Sequence, residues 1–194
     1  DRLTQVAMSP ESGEEAAKLG AQMMAFNYKP MEVQKEEYEQ YKVKYVECHG
    51  RNPRPLLLTD MCICDSDASR AKENSKYIAN YLLSVLHHYD LMGDHYKNAK
   101  GYEAYGDAVD ALRETGKEGM MEAYVEGQIW GTPDQMLKKF EARKKEMGQT
   151  DCLMAFRFAG IDYKTAQRSQ KLFAEEVMPV LKSWEEDDAA EKAA

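Results

Sequence analysis

Short apolar runs alternate with longer stretches of helical period along the whole chain, and this alternation predicts its outline. Runs at about Leu3 to Met8, Gln22 to Phe26, Leu56 to Cys64 and Cys152 to Phe158 have the length and composition of strands. The helical stretches are longer. Pro10 to Leu19 carries apolar Ala16, Ala17 and Leu19 and stops at Gly20, and a second helix runs from Met31 to about Cys48 before Gly50. Ala68 to Met92 sets Ile78, Leu82, Val85 and Leu86 on one face ahead of Gly93. Thr132 to Met147 opens on Thr-Pro-Asp-Gln, a capping box with proline in its first turn, and stops at Gly148. The last helix, Lys164 to Trp184, buries Leu172, Phe173, Val177 and Leu181 and is expected to kink at Pro179. Strand and helix taken in turn predict α/β architecture with parallel strands, the unit from which barrels and doubly wound sheets are made.

Between Gly93 and Gly127 the pattern weakens, with six glycines, four tyrosines and broken helical period. An insertion of this length reads either as a lid or as a disordered loop. Residues 185–194 form an acidic, alanine-rich tail expected to fray.

Composition narrows the classes of function. Hydrophobic residues make up 43% of the 194 and charged residues 31%, which is the balance of one globular domain. No run of about 18 apolar residues exists, so no membrane span is expected. The formal net charge is -8 and lysines are interleaved with acids, which argues against a nucleic-acid partner. Cys48, Cys62, Cys64 and Cys152 are too few for a disulfide scaffold and read as reduced thiols of a cytoplasmic protein. The chain opens on Asp1 without initiator methionine or leader and enters a strand almost at once, so it reads as joined midway to something longer.

Several stretches could carry chemistry. In Val6 to Gly20 an apolar run ends in Met8-Ser9-Pro10, with Ser9 placed as helix cap, Pro10 in the first turn and Ser12 three residues on. Hydroxyls and unpaired N–H groups thus meet at a strand's end, which either caps the helix or holds an anion. Glu11 in the same turn favours the cap, since a carboxylate there already satisfies the helix dipole. Asp65 or Ser66 repeats the capping pattern after Cys62 and Cys64, two thiols on one strand face that read as buried and structural. His87, His88 and His95 with Asp90 and Asp94 lack any metal-ligand signature. One of these histidines could serve as general acid or base if the insertion is a lid. Arg157, in an apolar strand, faces either a site mouth or solvent.

The final third, from Trp130-Gly131-Thr132-Pro133 through Gly148 and the strand to the run Leu172 to Pro179, closely resembles the C-terminal segment of the bacterial luciferase-like flavin monooxygenases. The similarity extends upstream through residues 87–105 and 64–71 to Ser9 to Gly20, covering nearly the whole chain. The resemblance implies a (β/α)8 TIM barrel of which residues 1–184 are the second half, strands five to eight, with 93–127 in the position of the active-site lid. It implies reduced FMN, usually delivered by a separate flavin reductase, reacting with O2 to oxidise a small organic substrate. It places the flavin phosphate on the turn after the fifth strand, at positions matching the Met8 backbone, Ser9 and Ser12. The catalytic groups of that family come mainly from the first half, so no catalytic residue is carried over. Half a barrel would expose two strand edges, so a homo- or hetero-oligomer or further strands are expected. Two other readings stay open: a non-catalytic flavin-binding or assembly protein, and a relative that uses reduced deazaflavin and transfers hydride without oxygen.

Overall fold

A computed structural model describes residues 2–89 and 116–184. In chain order the elements are β1 (Thr4–Val6), α1 (Pro10–Lys18), β2 (Gln22–Phe26), α2 (Met31–His49), β3 (Leu56–Cys64), α3 (Ala68–Asn74) and α4 (Lys76–His88). There follow α5 (Lys117–Gly127), β4 (Ile129–Gly131), α6 (Pro133–Met147), β5 (Thr150–Ala155) and α7 (Tyr163–Leu172). Helix α7 passes through one wide π-helical turn, Phe173–Val177, and continues over residues 178–184.

All strand pairs are parallel, in the order β1-β2-β3. On the far side of β3, β5 pairs with Leu56 to Met61, while on the near side, beyond the end of β2, β4 pairs with Cys62 to Cys64. The sheet therefore has four lanes, the second shared end to end by β2 and β4. Side chains alternate across it. Met23, Ala25, Leu56 and Leu58 pack against Ala16 and Ala17 of α1 and against the tyrosines Tyr38, Tyr41 and Tyr45 of α2. Those tyrosines recur every three or four residues and so share one helix face. Cys62 and Cys64 continue the same sheet face against Met136, Phe140, Phe173 and Val177. Met61 and Ile63, on the opposite face, are covered by Ile78, Leu82 and Leu86 of α4 and Tyr124 of α5.

Several sequence expectations are corrected. A fifth strand, β4, is present; three residues are too few to show a period, and it exists because β3 extends past the end of β2 and needs a neighbour there. The strand expected at Cys152 to Phe158 lies instead at Thr150–Ala155: beyond Met61 that edge of β3 is taken by α7, whose Ser169 hydroxyl oxygen accepts the Cys64 N–H at 2.7 Å. The single helix expected over Ala68 to Met92 is broken at Ser75, whose buried hydroxyl donates to the Lys72 carbonyl at 2.8 Å in place of a continued helical ladder. Its last residues, from 90 on, lie outside the described residues. Of the 93–127 insertion, Lys117–Gly127 forms α5, and 93–115 lie outside the described residues, as does the 185–194 tail. The distortion expected at Pro179 sits one turn earlier, as the π-helical turn. Proline has no N–H to give the carbonyl four residues back, and a widened turn absorbs that loss.

Candidate functional site

In a parallel sheet the C-terminal strand ends and the turns that follow them converge on one rim, where ligands bind. Here that rim carries Met8 and Ser9 after β1, Asn27, Tyr28 and Lys29 after β2, Asp65 after β3 and Phe156 to Phe158 after β5.

The turn after β1 is a full capping box. Ser9 has extended backbone (φ -138, ψ 160), and its hydroxyl oxygen accepts the Ser12 N–H at 3.3 Å. The Ser12 hydroxyl oxygen accepts the N–H groups of both Met8 and Ser9 at 3.0 Å and donates to the Ser9 carbonyl at 2.9 Å. Met8, Ser9 and Ser12 are therefore brought together, and the oxygen of Ser12 stands where two backbone N–H groups converge. An anionic oxygen would be received there by the same two donors once the Ser12 side chain rotates. Glu11 has a place as well: its own backbone N–H, then the Ser9 hydroxyl, hold its exposed carboxyl below the usual carboxylate range.

The residue that sequence reasoning missed is Lys29. Its ammonium donates to the Met8 carbonyl at 2.8 Å and pairs with Glu37 at 2.6 Å, tying the turn after β2 to the turn after β1. The available signal was a lysine directly after a strand and before a proline, in Asn27-Tyr28-Lys29-Pro30. Lys29 brings a cation to a rim turn that also carries Glu11.

Behind the rim lies a buried polar chain. The Asn27 amide donates to Asp60 at 2.9 Å and accepts from Gln34 at 2.8 Å. The Gln128 amide donates to the Asn27 carbonyl at 2.6 Å and accepts the Met61 N–H at 2.8 Å. Asp60, wholly buried, takes both guanidinium nitrogens of Arg143 at 2.7 Å. This chain fixes the end of β2, and hence Lys29, against β3 and α6. Beside it, burial first and then the neighbouring Tyr124 and Tyr81 phenols raise the ionisation of Tyr28 far above its ordinary range; Tyr28 stacks on Tyr124 with ring centroids 5.2 Å apart.

Other candidates fall elsewhere. The cap after β3 is Asp67, which accepts from Ser69 and Arg70, whereas Asp65 is buried and paired with Arg70 at 2.7 Å. Burial alone would raise the Asp65 carboxyl; Arg70 and the Asp67 N–H outweigh it and hold it low. Cys62 and Cys64 are buried free thiols that burial pushes up, Cys64 to about 12. Arg157 is exposed and lies over the Tyr163 ring. His87 and His88 are exposed on α4, while Asp90, Asp94 and His95 lie outside the described residues. No cluster of metal-ligating side chains occurs among the described residues, nor does any described helix have the length and apolarity to cross a membrane.

No family model and no curated protein sequence matches the chain. Solved structures do. The monooxygenase RslO1 of Streptomyces bottropensis superposes with a TM-score of 0.62 at 17% identity, over 91% of this chain and 46% of its own. The oxygenating constituent of 3,6-diketocamphane monooxygenase of Pseudomonas putida, solved with FMN, gives 0.64 at 16%, over 91% and 47%. The coenzyme F420 dependent tetrahydromethanopterin reductase of Methanopyrus kandleri gives 0.56 at 18%, over 90% and 49%. The chain thus spans about half the length of the structures it matches. Its fold is that of one half of a luciferase-like (β/α)8 barrel.

Proposed function

We propose that this chain is the flavin-phosphate half of a luciferase-like monooxygenase that uses reduced FMN and O2 to oxidise a small organic substrate. The observation that carries the reading is the turn after β1, where Ser9, Ser12 and two convergent N–H groups sit at the C-terminal end of a parallel strand. Oxyanions are held in this way at helix N-termini, by fixed N–H dipoles and short hydroxyls. Lys29 supplies the charge that offsets the surrounding glutamates. Bound there, reduced FMN would supply the oxygen chemistry, which belongs to the cofactor.

The protein's part in this reading is binding, orientation and exclusion of water. Met8, Ser9 and Ser12 anchor the phosphate, and the buried Asn27–Asp60–Arg143 chain holds the adjoining rim rigid. α4 and α5, the helix ahead of the insertion and the helix formed by its last residues, cover Met61 and Ile63 with apolar and aromatic side chains, which favours reading the 93–127 insertion as a lid over the ring. Two structural neighbours are named as monooxygenases and one was solved with FMN, which supports the same reading. A separate reductase as source of reduced flavin, and a cytoplasmic location, go with it.

Anaerobic titration of reduced FMN against the protein is the test. Replacing Ser9 and Ser12 together by alanine should weaken binding by about 1–3 kcal/mol; unchanged affinity would remove the phosphate assignment. The second reading, a deazaflavin-dependent hydride transfer, is favoured by the F420-dependent neighbour. Incorporation of oxygen from O2 into an organic substrate with reduced FMN, against anaerobic reduction of a substrate by reduced deazaflavin, decides between them. Flavin binding without either reaction would instead mark a non-catalytic flavin-binding protein.

A further inference from the structure

The carbonyl groups that close a helix have no partner within it and take donors from elsewhere. At the C-terminal end of α5, three of them accept side chains from three other elements. The Trp130 indole N–H of β4 donates to the Val125 carbonyl at 2.8 Å, the Lys139 ammonium of α6 to the Glu126 carbonyl at 2.9 Å, and the Asn27 amide to the Gly127 carbonyl at 2.7 Å. The other end is plainer: α5 starts at Gly116, φ +80, with no side-chain cap hydrogen bond among the described residues. α5 is thus anchored at its last turn, and one of its anchors belongs to the turn after β2.

That turn reaches two ways. Asn27 holds Gly127 and is itself fixed by Asp60 and Gln128. The Tyr28 ring lies on Tyr124 of α5, 17° from parallel. Lys29 points in the other direction, to the Met8 carbonyl and to Glu37, and both of these partners lie outside α5. Only these three residues separate β2 from Pro30, whose ring fixes φ at -51 at the start of α2. A turn so short, bonded towards both neighbours, has no slack with which to absorb a shift of Lys29, and packed, hydrogen-bonded connections of this kind carry coupling between sites.

We infer that Asn27-Tyr28-Lys29 is a relay: an oxyanion held at the Ser9–Ser12 turn draws the Lys29 ammonium, fixes the three-residue turn, and so tightens α5 on the rim. The ligand end of this inference rests on the phosphate reading of the Ser9–Ser12 turn. The Lys29 and Glu37 side chains are 23% and 15% exposed, so water screens their charges little, and a phosphate competes with Glu37 for the ammonium at close range. Ordering the turn costs conformational freedom once; whichever of anion and α5 engages it first leaves less for the other to lose. The coupling is reciprocal, so a docked α5 strengthens the hold on the anion by the same factor.

Hydrogen exchange followed by NMR with inorganic phosphate is the test, because phosphate reaches the turn without a ring to touch α5. Against chloride of equal ionic strength, phosphate should slow exchange of the Met8 and Ser9 amides and of the α5 amides, the latter by about fivefold. Tyr28→Leu, which removes the stack on Tyr124, should keep the first effect and lose the second, and Tyr28→Phe, which keeps the ring, should restore it. A tyrosine that only props α5 would shift its exchange equally with and without phosphate. In the phosphate-free protein Lys29→Gln should speed α5 exchange with the circular dichroism unchanged. Protection of Met8 and Ser9 with α5 unmoved would overturn the relay and leave the phosphate site standing. Absence of protection at Met8 and Ser9 would remove that site and the relay with it, and an α5 indifferent to Lys29→Gln would overturn the relay whatever phosphate does.

Discussion

Arg143 on α6 and Asp60 in the middle of β3 form a two-point ion pair, both contacts 2.7 Å, with side chains 3% and 0% exposed. Eighty-three residues separate them in sequence. The pair clamps a helix of the outer layer to a strand, and through Asn27 it reaches the rim that carries Lys29.

Breaking this pair leaves a charge uncompensated in the interior. Asp60→Asn is expected to destabilise the fold by about 3–5 kcal/mol, whereas Asp60→Leu combined with Arg143→Met should recover most of the loss, because two apolar groups need no partner. Urea unfolding of the three proteins checks this; equal midpoints for wild type and Asp60→Asn would show that the pair contributes nothing.

Lys29 gives a sharper view of the rim. With the phosphate at the Ser9–Ser12 turn, Lys29→Gln should weaken reduced FMN about tenfold, equivalent to ~1.4 kcal/mol, and leave riboflavin, which has no phosphate, unchanged. Equal weakening of both ligands would assign Lys29 to holding the two turns together through its Met8 contact instead.

Alkaline pH should loosen the α2 side of the core. Tyr41 is 1% exposed and donates to the Ala21 carbonyl at 2.7 Å, and burial pushes its ionisation up from 10 to about 12; Tyr38 shifts likewise. A phenol that keeps its proton longer when folded contributes its full stability below pH 10 and loses it as pH rises to about 12. Stability should therefore fall across that window, with phenolate absorbance lagging that of unfolded chain. A tyrosine titration centred near 10 for all residues in the folded protein would contradict it.

Gly131, the last residue of β4, has φ +137, and a Cβ there would lie 2.8 Å from Gln135 Oε1. That amide oxygen accepts the Thr132 N–H at 2.9 Å in the α6 capping box. Gly131→Ala should lower stability by about 1–3 kcal/mol through backbone strain and the displaced cap together. Thermal unfolding measures it, and an unshifted midpoint would mean that the turn relaxes freely.

Local chemistry was legible in the chain itself. The helices α1 and α6 begin where Ser9-Pro10 and Thr132-Pro133 place them, because capping is decided by residues three apart. The alternation of strand and helix gave the α/β class, since burial of one face of each element imposes its period. Met8, Ser9 and Ser12 could be picked out together because they are close in sequence. What needed the tertiary structure was whatever joins distant segments. Strand β4 has no period of its own and is held by pairing with Cys62 to Cys64, and β5 ends at Ala155 where Ser169 of α7 takes the Cys64 N–H instead. Lys29 belongs to the rim only because β1 and β2 lie side by side and carry its ammonium to the Met8 carbonyl. Asp60 is a charge within an apolar strand, and only the packing of α6 supplies the arginine that keeps it there. Sequence fixes contacts a few residues long through backbone preference and burial period; longer ones depend on which faces the folded layers bring together.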